Sequence, residues 1–274
     1  MQPFEFLKFT RRNNCRECGY PACLAFTVAV TKGGEDPGKC PYVDMQALGD
    51  KLAMVDCKNG GLSEIGVLPA EKDMALVAHL KDKIREMNFA AIASNLGCAW
   101  SSATDCLHFD YLGREVLLSR DTILLAGQEI ADPRDQILLY NYIFYGGGDA
   151  DTGEWVGMES LPNSISKVRT LRVYCEERIA SRFSGQEALL RHCAVRMDGT
   201  PAEKMEASCS AALQIKVLPN LTIVLLFWDQ EPEDGFPARV KVLYDRNVLS
   251  VLDIESLVFA SERLAERLME LSDE

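Results

Sequence analysis

The chain has 274 residues, 47% of them hydrophobic and 26% charged, with a formal net charge of −12. That composition is globular, contains no run of about 18 apolar residues to span a bilayer, and lacks the basic excess that general nucleic-acid binding needs to displace counterions from phosphates. The start, Met1-Gln-Pro-Phe-Glu-Phe-Leu-Lys, has no basic segment followed by an apolar one and a cleavage site, so the expected location is the cytoplasm.

The length fits a small module joined to one domain of ordinary size. The expected division is a module over 1–45, a connector over 46–72 and a domain over 73–274. Residues 1–45 hold six Lys and Arg against five Asp and Glu, whereas the remainder holds 23 against 36, so a nearly neutral head precedes an acidic body. Ten cysteines in a reducing compartment point to metal ligation and not to a disulfide framework.

In chain order, Cys23-Leu-Ala-Phe-Thr-Val-Ala-Val reads as about two helical turns. Gly49, Gly60, Gly61, Gly66 and Pro69 mark the connector. From Glu71 to Leu96 the apolar residues Met74, Val77, Leu80, Ile84, Met87 and Ala91 keep helical spacing, and Gly97 can end the helix in a left-handed conformation. Leu107–Leu112 and Glu115–Ser119 alternate with period two around Gly113-Arg114, a strand pair. Asp132-Pro133 opens a helix that runs to Phe144 and stops at Gly146. Two further helices are expected near 163–183 and 185–197. Leu213–Leu218 and Leu221–Trp228 form a strand pair about Pro219-Asn220, Arg239–Tyr244 is another strand, and Asp253–Leu271 is an amphipathic helix with Ile254, Leu257, Val258, Leu264, Leu268 and Leu271 on its apolar side. The expected fold class is α+β, a small cluster-binding module followed by a domain of helices and a mostly antiparallel sheet.

The chemistry concentrates in the head. Cys15, Cys18, Cys23 and Cys40 are spaced x2, x4 and x16, and Pro41 follows the last. A compact triad with a fourth thiolate returning after a helix suits the four corners of a 4Fe-4S cluster. A structural zinc site is the alternative, although zinc is usually held by two short cysteine pairs on two turns. Gly19 relieves crowding between the second and third cysteines, Pro21 and Pro41 stiffen the backbone beside two of them, and a segment too small for its own core would gain stability from a metal centre. Arg11, Arg12, Arg16, Lys32 and Lys39 bring positive charge that favours a reduced cluster or docks an acidic redox partner.

The stretch Asn14-Cys-Arg-Glu-Cys-Gly-Tyr-Pro-Ala-Cys-Leu-Ala-Phe, with Lys39-Cys-Pro, resembles the 4Fe-4S module of the corrinoid iron-sulfur protein large subunit and of membrane electron-transport complex B subunits. The resemblance implies a low-potential cluster on Cys15, Cys18, Cys23 and Cys40, a role in anaerobic metabolism, and a redox partner of acidic or corrinoid-dependent type. The barrel domain of the corrinoid protein is missing. Residues 75–270 resemble an uncharacterised prokaryotic domain found behind such modules, through Thr152-Gly-Glu-Trp-Val, Ser160-Leu-Pro, Phe227-Trp-Asp and Val242-Leu-Tyr-Asp-Arg. That resemblance implies a family and no reaction.

Other candidates are weaker. Cys106, His108 and Asp110 alternate on one strand and share a face, a metal set only if one strand supplies three ligands. His192 and Cys193 are helix neighbours whose side chains point apart, and His79 falls on a polar helix face. Gly146-Gly-Gly-Asp-Ala-Asp-Thr-Gly follows a helix and lacks the Lys-Ser/Thr of a phosphate loop, so it reads as a flexible connector. Trp155, and Trp228-Asp229 with Glu231, Glu233 and Asp234, are core aromatics or the lining of a ligand or partner site. With three histidines and no assembled triad, Walker loop or dinucleotide fingerprint, the chain is not expected to be a self-sufficient enzyme. The expected function is electron transfer or redox control, with the second domain binding a partner or an unknown second ligand; the alternatives are a corrinoid- or tetrapyrrole-handling protein and a zinc-stabilised interaction protein.

Overall fold

The computed structural model describes residues 6–33, 35–43, 45, 69–148, 152–202, 205 and 209–274. The chain divides into two compact units, Met1–Val67 and Leu68–Glu274; of the expected connector, residues 46–68 lie outside the described residues.

The first unit is built on one helix, α1 (Cys23–Gly33), preceded by a 3-10 turn at Leu7–Phe9 and followed by another at Pro37–Lys39. Asp36 caps the second turn, its carboxylate accepting the Gly38 amide at 2.8 Å. Phe6, Phe26 and Cys40 are buried, and Phe9, Cys18, Tyr20, Val30, Tyr42 and Val43 pack around them. The Phe26 ring lies 6.3 Å from Phe6 and 5.5 Å from Tyr20, tilted or edge-on in both cases. Buried rings contribute about 2 kcal/mol each, and ordering the backbone costs about 1 kcal/mol per residue, so this core alone does not hold the segment.

The second unit is α+β. After α2 (Pro69–Arg85) and the short α3 (Phe89–Ile92) comes an antiparallel meander of β1 (Ala99–Ser101), β2 (Cys106–Tyr111), β3 (Arg114–Leu118), β4 (Ile123–Leu125) and β5 (Gln128–Glu129). Helix α4 (Pro133–Tyr145) leads to β6 (Trp155–Gly157), then α5 (Ile165–Leu171), a π turn (Arg172–Glu176), α6 (Glu177–Phe183) and α7 (Glu187–Val195). The chain ends with β7 (Thr200–Pro201), β8 (Ala211–Leu218), β9 (Leu221–Trp228), β10 (Arg239–Asp245) and α8 (Ile254–Asp273). The second sheet has the order β6-β10-β9-β8-β7, antiparallel throughout. Two sheets therefore replace the single one expected, and Leu112 N–H donates to Val217 O at 3.1 Å to join them.

Local signals account for the long elements. Asp132 caps α4 by accepting the Arg134 amide, Pro133 occupies its first position, and Gly146 closes it at φ +79°. Asp253 caps α8 through the Glu255 and Ser256 amides, and Leu257, Val258, Leu264, Leu268 and Leu271 are buried along its inner face, with Ile254 partly buried. The helix expected over 71–96 is shorter. It stops at Arg85, and Asn88 caps α3 anew by accepting the Ala91 amide. The cause is tertiary: Arg120 donates to the carbonyls of Ile84, Arg85 and Met87 at 3.3, 2.7 and 2.6 Å, stacks on Phe89 and pairs with Asp105.

Candidate functional site

Cys15 and Cys18 sit half-buried on the loop before α1, Cys23 is the first residue of that helix and is buried, and Cys40 is buried just after the 3-10 turn. All four are free thiols. The loop has an uncommon backbone. Arg12, Asn14 and Arg16 lie at positive φ, 56°, 51° and 66°, whereas the residues between them do not, and Gly19 follows at φ +82°. A left-handed conformation costs about 1 kcal/mol for a residue with a side chain and persists where the surroundings demand it. Backbone nests that receive iron-sulfur clusters draw on left-handed residues of this kind, and three of them fall in this loop within five residues. Asn14 helps fix the turn, its side chain accepting the Cys23 amide at 2.8 Å, and Gly19 N–H donates to Arg16 O at 2.9 Å.

Two tyrosine-carboxylate clasps join the two cysteine-bearing segments. Tyr20 donates to Glu35 at 2.6 Å and Tyr42 donates to Glu17 at 2.9 Å. Lys39 also pairs with Glu35, at 2.8 Å, and Arg11 stacks on the Tyr42 ring at 3.8 Å. Lys39 and Tyr20 together hold the Glu35 carboxyl down to about 2. Burial raises the Cys40 thiol, the Tyr42 amide opposes this, and the charges of Cys18, Cys15 and Cys23 raise it further, so all three lie within electrostatic reach of Cys40. The side chain of Lys32 lies outside the described residues.

Among the described residues, no group of three or more His, Cys, Asp or Glu is placed to hold a metal ion as it stands. Four sulfurs round one zinc stand about 3.8 Å apart, the edge of a tetrahedron with bonds of about 2.3 Å, whereas a cubane takes one thiolate at each of four irons. Four thiols, two buried and two half-buried, are a donor set that either centre accepts.

The remaining sequence candidates separate. Cys106 is buried with its thiol on Thr104 O, His108 is half-buried and Asp110 exposed, so they share a strand face without converging. Cys193 is buried and His192 exposed on the far side of α7, and His79 is exposed. The glycine run is no flexible connector where it is described: a Cβ on Gly147 would meet Asn95 O at 2.2 Å, and one on Gly148 would meet Ser250 O at 2.3 Å. Those glycines allow close backbone packing. Trp228 lies under Arg239, 4.3 Å from its guanidinium, and Asp229 holds a turn by accepting the Gly185 and Gln230 amides at 2.6 and 2.7 Å.

Trp155, by contrast, borders a cavity of about 330 Å³ on the second sheet. Lys216 pairs with Thr222, Ile223 with Tyr244, and Asp245 with Trp155. Thr222 therefore falls opposite Asp245, and Lys216, Thr222, Asp245 and Trp155 form one row across β8, β9, β10 and β6. Gln214, two residues from Lys216, shares its face, and Gly148, Pro219, Asn220, Leu221 and Val248 close the cavity. Two segments quoted for the second resemblance meet here, since Asp245 accepts Thr152 N and Oγ1 at 2.8 Å each and Gly153 N at 3.1 Å. Lys216 and Thr222 escaped the sequence reading, because only strand register brings them to Trp155.

Residues 88–267 match the family model described as "Domain of unknown function (DUF3786)", and residues 12–42 match one described as "Putative Fe-S cluster". No curated protein and no solved structure matches the chain.

Proposed function

Because the chain belongs to the DUF3786 family and carries an Fe-S module ahead of that domain, we propose that it is a 4Fe-4S protein of electron transfer or redox control, with Cys15, Cys18, Cys23 and Cys40 as ligands. The observation that carries this reading is the set of four free thiols in one small unit, Cys15 and Cys18 half-buried on a loop with three left-handed residues and Cys23 and Cys40 buried. When bound, a cluster of this kind supplies one-electron transfer at a potential tuned by charge, hydrogen bonds and exposure. The chain's own part is to hold four thiolates, to donate amides to sulfur, and to keep Cys23 and Cys40 out of water. Arg12 and Arg16 place positive charge on the loop beside Cys15, which favours the reduced state and suits a negatively charged redox partner.

The C-terminal domain supplies a partner or ligand site, and the cavity at Trp155 supports the ligand form. Among the described residues no helix is long and apolar enough to cross a membrane; the cytoplasm is the proposed location. A partner from corrinoid-dependent anaerobic metabolism fits the resemblance of the cysteine segment. Anaerobic purification followed by iron, sulfide and zinc analysis and by EPR after dithionite tests the reading. Iron and sulfide in equal amounts with a reduced-cluster signal are expected; zinc without iron would overturn it.

A further inference from the structure

We propose that the cavity between Trp155 and Lys216 binds a small planar anion, a carboxylate borne on an aromatic or conjugated body. The inference deepens the ligand-binding half of the preceding reading and does not depend on the cluster.

The row Lys216, Thr222, Asp245, Trp155 crosses four strands, so its ends stand roughly 14 Å apart at the backbone, three spacings of about 4.8 Å. Thr222 and Asp245 form the floor between them. The acid on that floor is spent. Asp245 is 4% exposed, with Oδ2 receiving Thr152 N and Oγ1 and Gly153 N, and Oδ1 receiving Asn247 N at 2.8 Å. Three donors converge on Oδ2 and one reaches Oδ1, so the chain's own donors take most of this carboxylate's acceptor capacity. Glu154, on the neighbouring turn, is paired with Arg246.

The donors, in contrast, are unspent. Among the described residues, the side chains of Trp155, Gln214, Lys216 and Thr222 make no hydrogen bond or ion pair, although each borders the cavity. Together they offer an indole N–H, an amide, an ammonium and a hydroxyl, a donor-rich set in which the Lys216 charge is balanced by Asp245, whose carboxylate is turned mostly to the chain's own donors. Among the described residues of a chain with net charge −12, no acid pairs with that lysine, which stands beside the cavity. The apolar surface comes from the indole, Pro219, Leu221 and Val248, which suits a flat body against an aromatic face. A volume of about 330 Å³ lies at the small end of ligand pockets, roughly 300–1,000 Å³, and suits a one- or two-ring acid better than a tetrapyrrole.

The test is calorimetry and thermal denaturation of the full chain with 2-naphthoate, its neutral isostere 2-naphthamide, and inorganic phosphate. Expected are saturable binding and a raised Tm with 2-naphthoate, with weaker binding of the amide. Lys216→Met and Trp155→Leu should each weaken naphthoate binding about tenfold or more, as losing a charge-assisted hydrogen bond or an aromatic face requires. Circular dichroism confirms that both variants are folded, and an unchanged iron content in them separates this site from the cluster. No naphthoate binding at millimolar concentration, equal binding of the amide, or undiminished binding by Lys216→Met would each overturn the proposal. Binding of phosphate as tight as that of naphthoate would overturn its planar-body part.

Discussion

Tyr20 donates its hydroxyl to Glu35 at 2.6 Å, joining the loop between the second and third cysteines to the segment that leads to the fourth. The Tyr42 to Glu17 bond does the same from the other side. Because neither clasp lies in a helix or strand, each acts by limiting how far the two segments can separate. Tyr20→Phe keeps the ring packed on Phe26 and removes only the bond. With iron release to a chelator followed by absorbance under anaerobic conditions, Tyr20→Phe should lose iron several-fold faster than wild type, and Tyr20→Phe/Tyr42→Phe faster again. A double variant that matches wild type would show that the clasps do not hold the centre closed.

Individual serine substitutions at Cys15, Cys18, Cys23 and Cys40 should each lower bound iron. Cys106→Ala and Cys193→Ala should leave iron unchanged, because both thiols are buried in the second unit's packing. Trimming one buried sulfur there costs about 1 kcal/mol of stability. Iron per chain, measured on all six variants, checks the assignment. Iron lost equally from the second group would point to a different ligand set.

Residue spacing made the cysteine set legible, and local capping made α4 and α8 legible, since Asp132-Pro133, Gly146 and Asp253 act within their own turn. The end of α2 was not legible because the group that receives its carbonyls, Arg120, lies 35 residues beyond Arg85. Strands β4, β5 and β6 have three, two and three residues, too few to show a period. At the site, the left-handed turns at Arg12 and Arg16 had no sequence signal, because arginine does not favour that conformation. Asp229, which the sequence offers beside Trp228 as part of a core or of a site lining, holds the Gly185 turn, 44 positions away.

Arg263 grips Asp135 with two bonds, 2.8 and 2.9 Å, and Tyr111 donates to the same carboxylate at 2.7 Å. This is a buried ion pair tying α8 to the first turn of α4, with the Asp135 side chain only 5% exposed. Arg263→Ala strands a buried carboxylate and should cost about 3–5 kcal/mol in denaturant unfolding. Tyr111→Phe should cost about 1 kcal/mol. Asp135→Asn/Arg263→Met should be less harmful than Arg263→Ala, the reverse of an additive outcome.

Gly147 has φ +80°, and a Cβ there would meet Asn95 O, Asn95 C and Leu96 N at 2.2, 2.5 and 2.9 Å. Those are backbone atoms, which cannot swing aside. Gly147→Ala should therefore destabilise the domain by about 2–4 kcal/mol, combining left-handed strain with overpacking. Gly146→Ala, with the same φ class and open space around it, should cost only about 1 kcal/mol. Equal losses from the two would mean that packing at Asn95 is not what the glycine serves.

Glu176 closes the π turn and is 8% exposed, with its Oε1 accepting the Val242 amide at 3.0 Å. Burial raises its carboxyl above the ordinary range; the Val242 amide and Lys241, 3.8 Å away, oppose this without reversing it. A raised folded value means that the protonated form folds better. Stability from this group is complete below the unfolded carboxyl range, about pH 4.3, and is lost as pH rises through the folded value. Glu176→Gln keeps an acceptor for Val242 and removes the desolvated charge, while Lys241 retains Glu159 at 2.9 Å. The variant should match wild type at pH 4 and exceed it by up to about 1 kcal/mol at pH 7 in urea unfolding. A glutamine variant less stable than wild type at pH 7 would mean that the Lys241 attraction outweighs burial at this position.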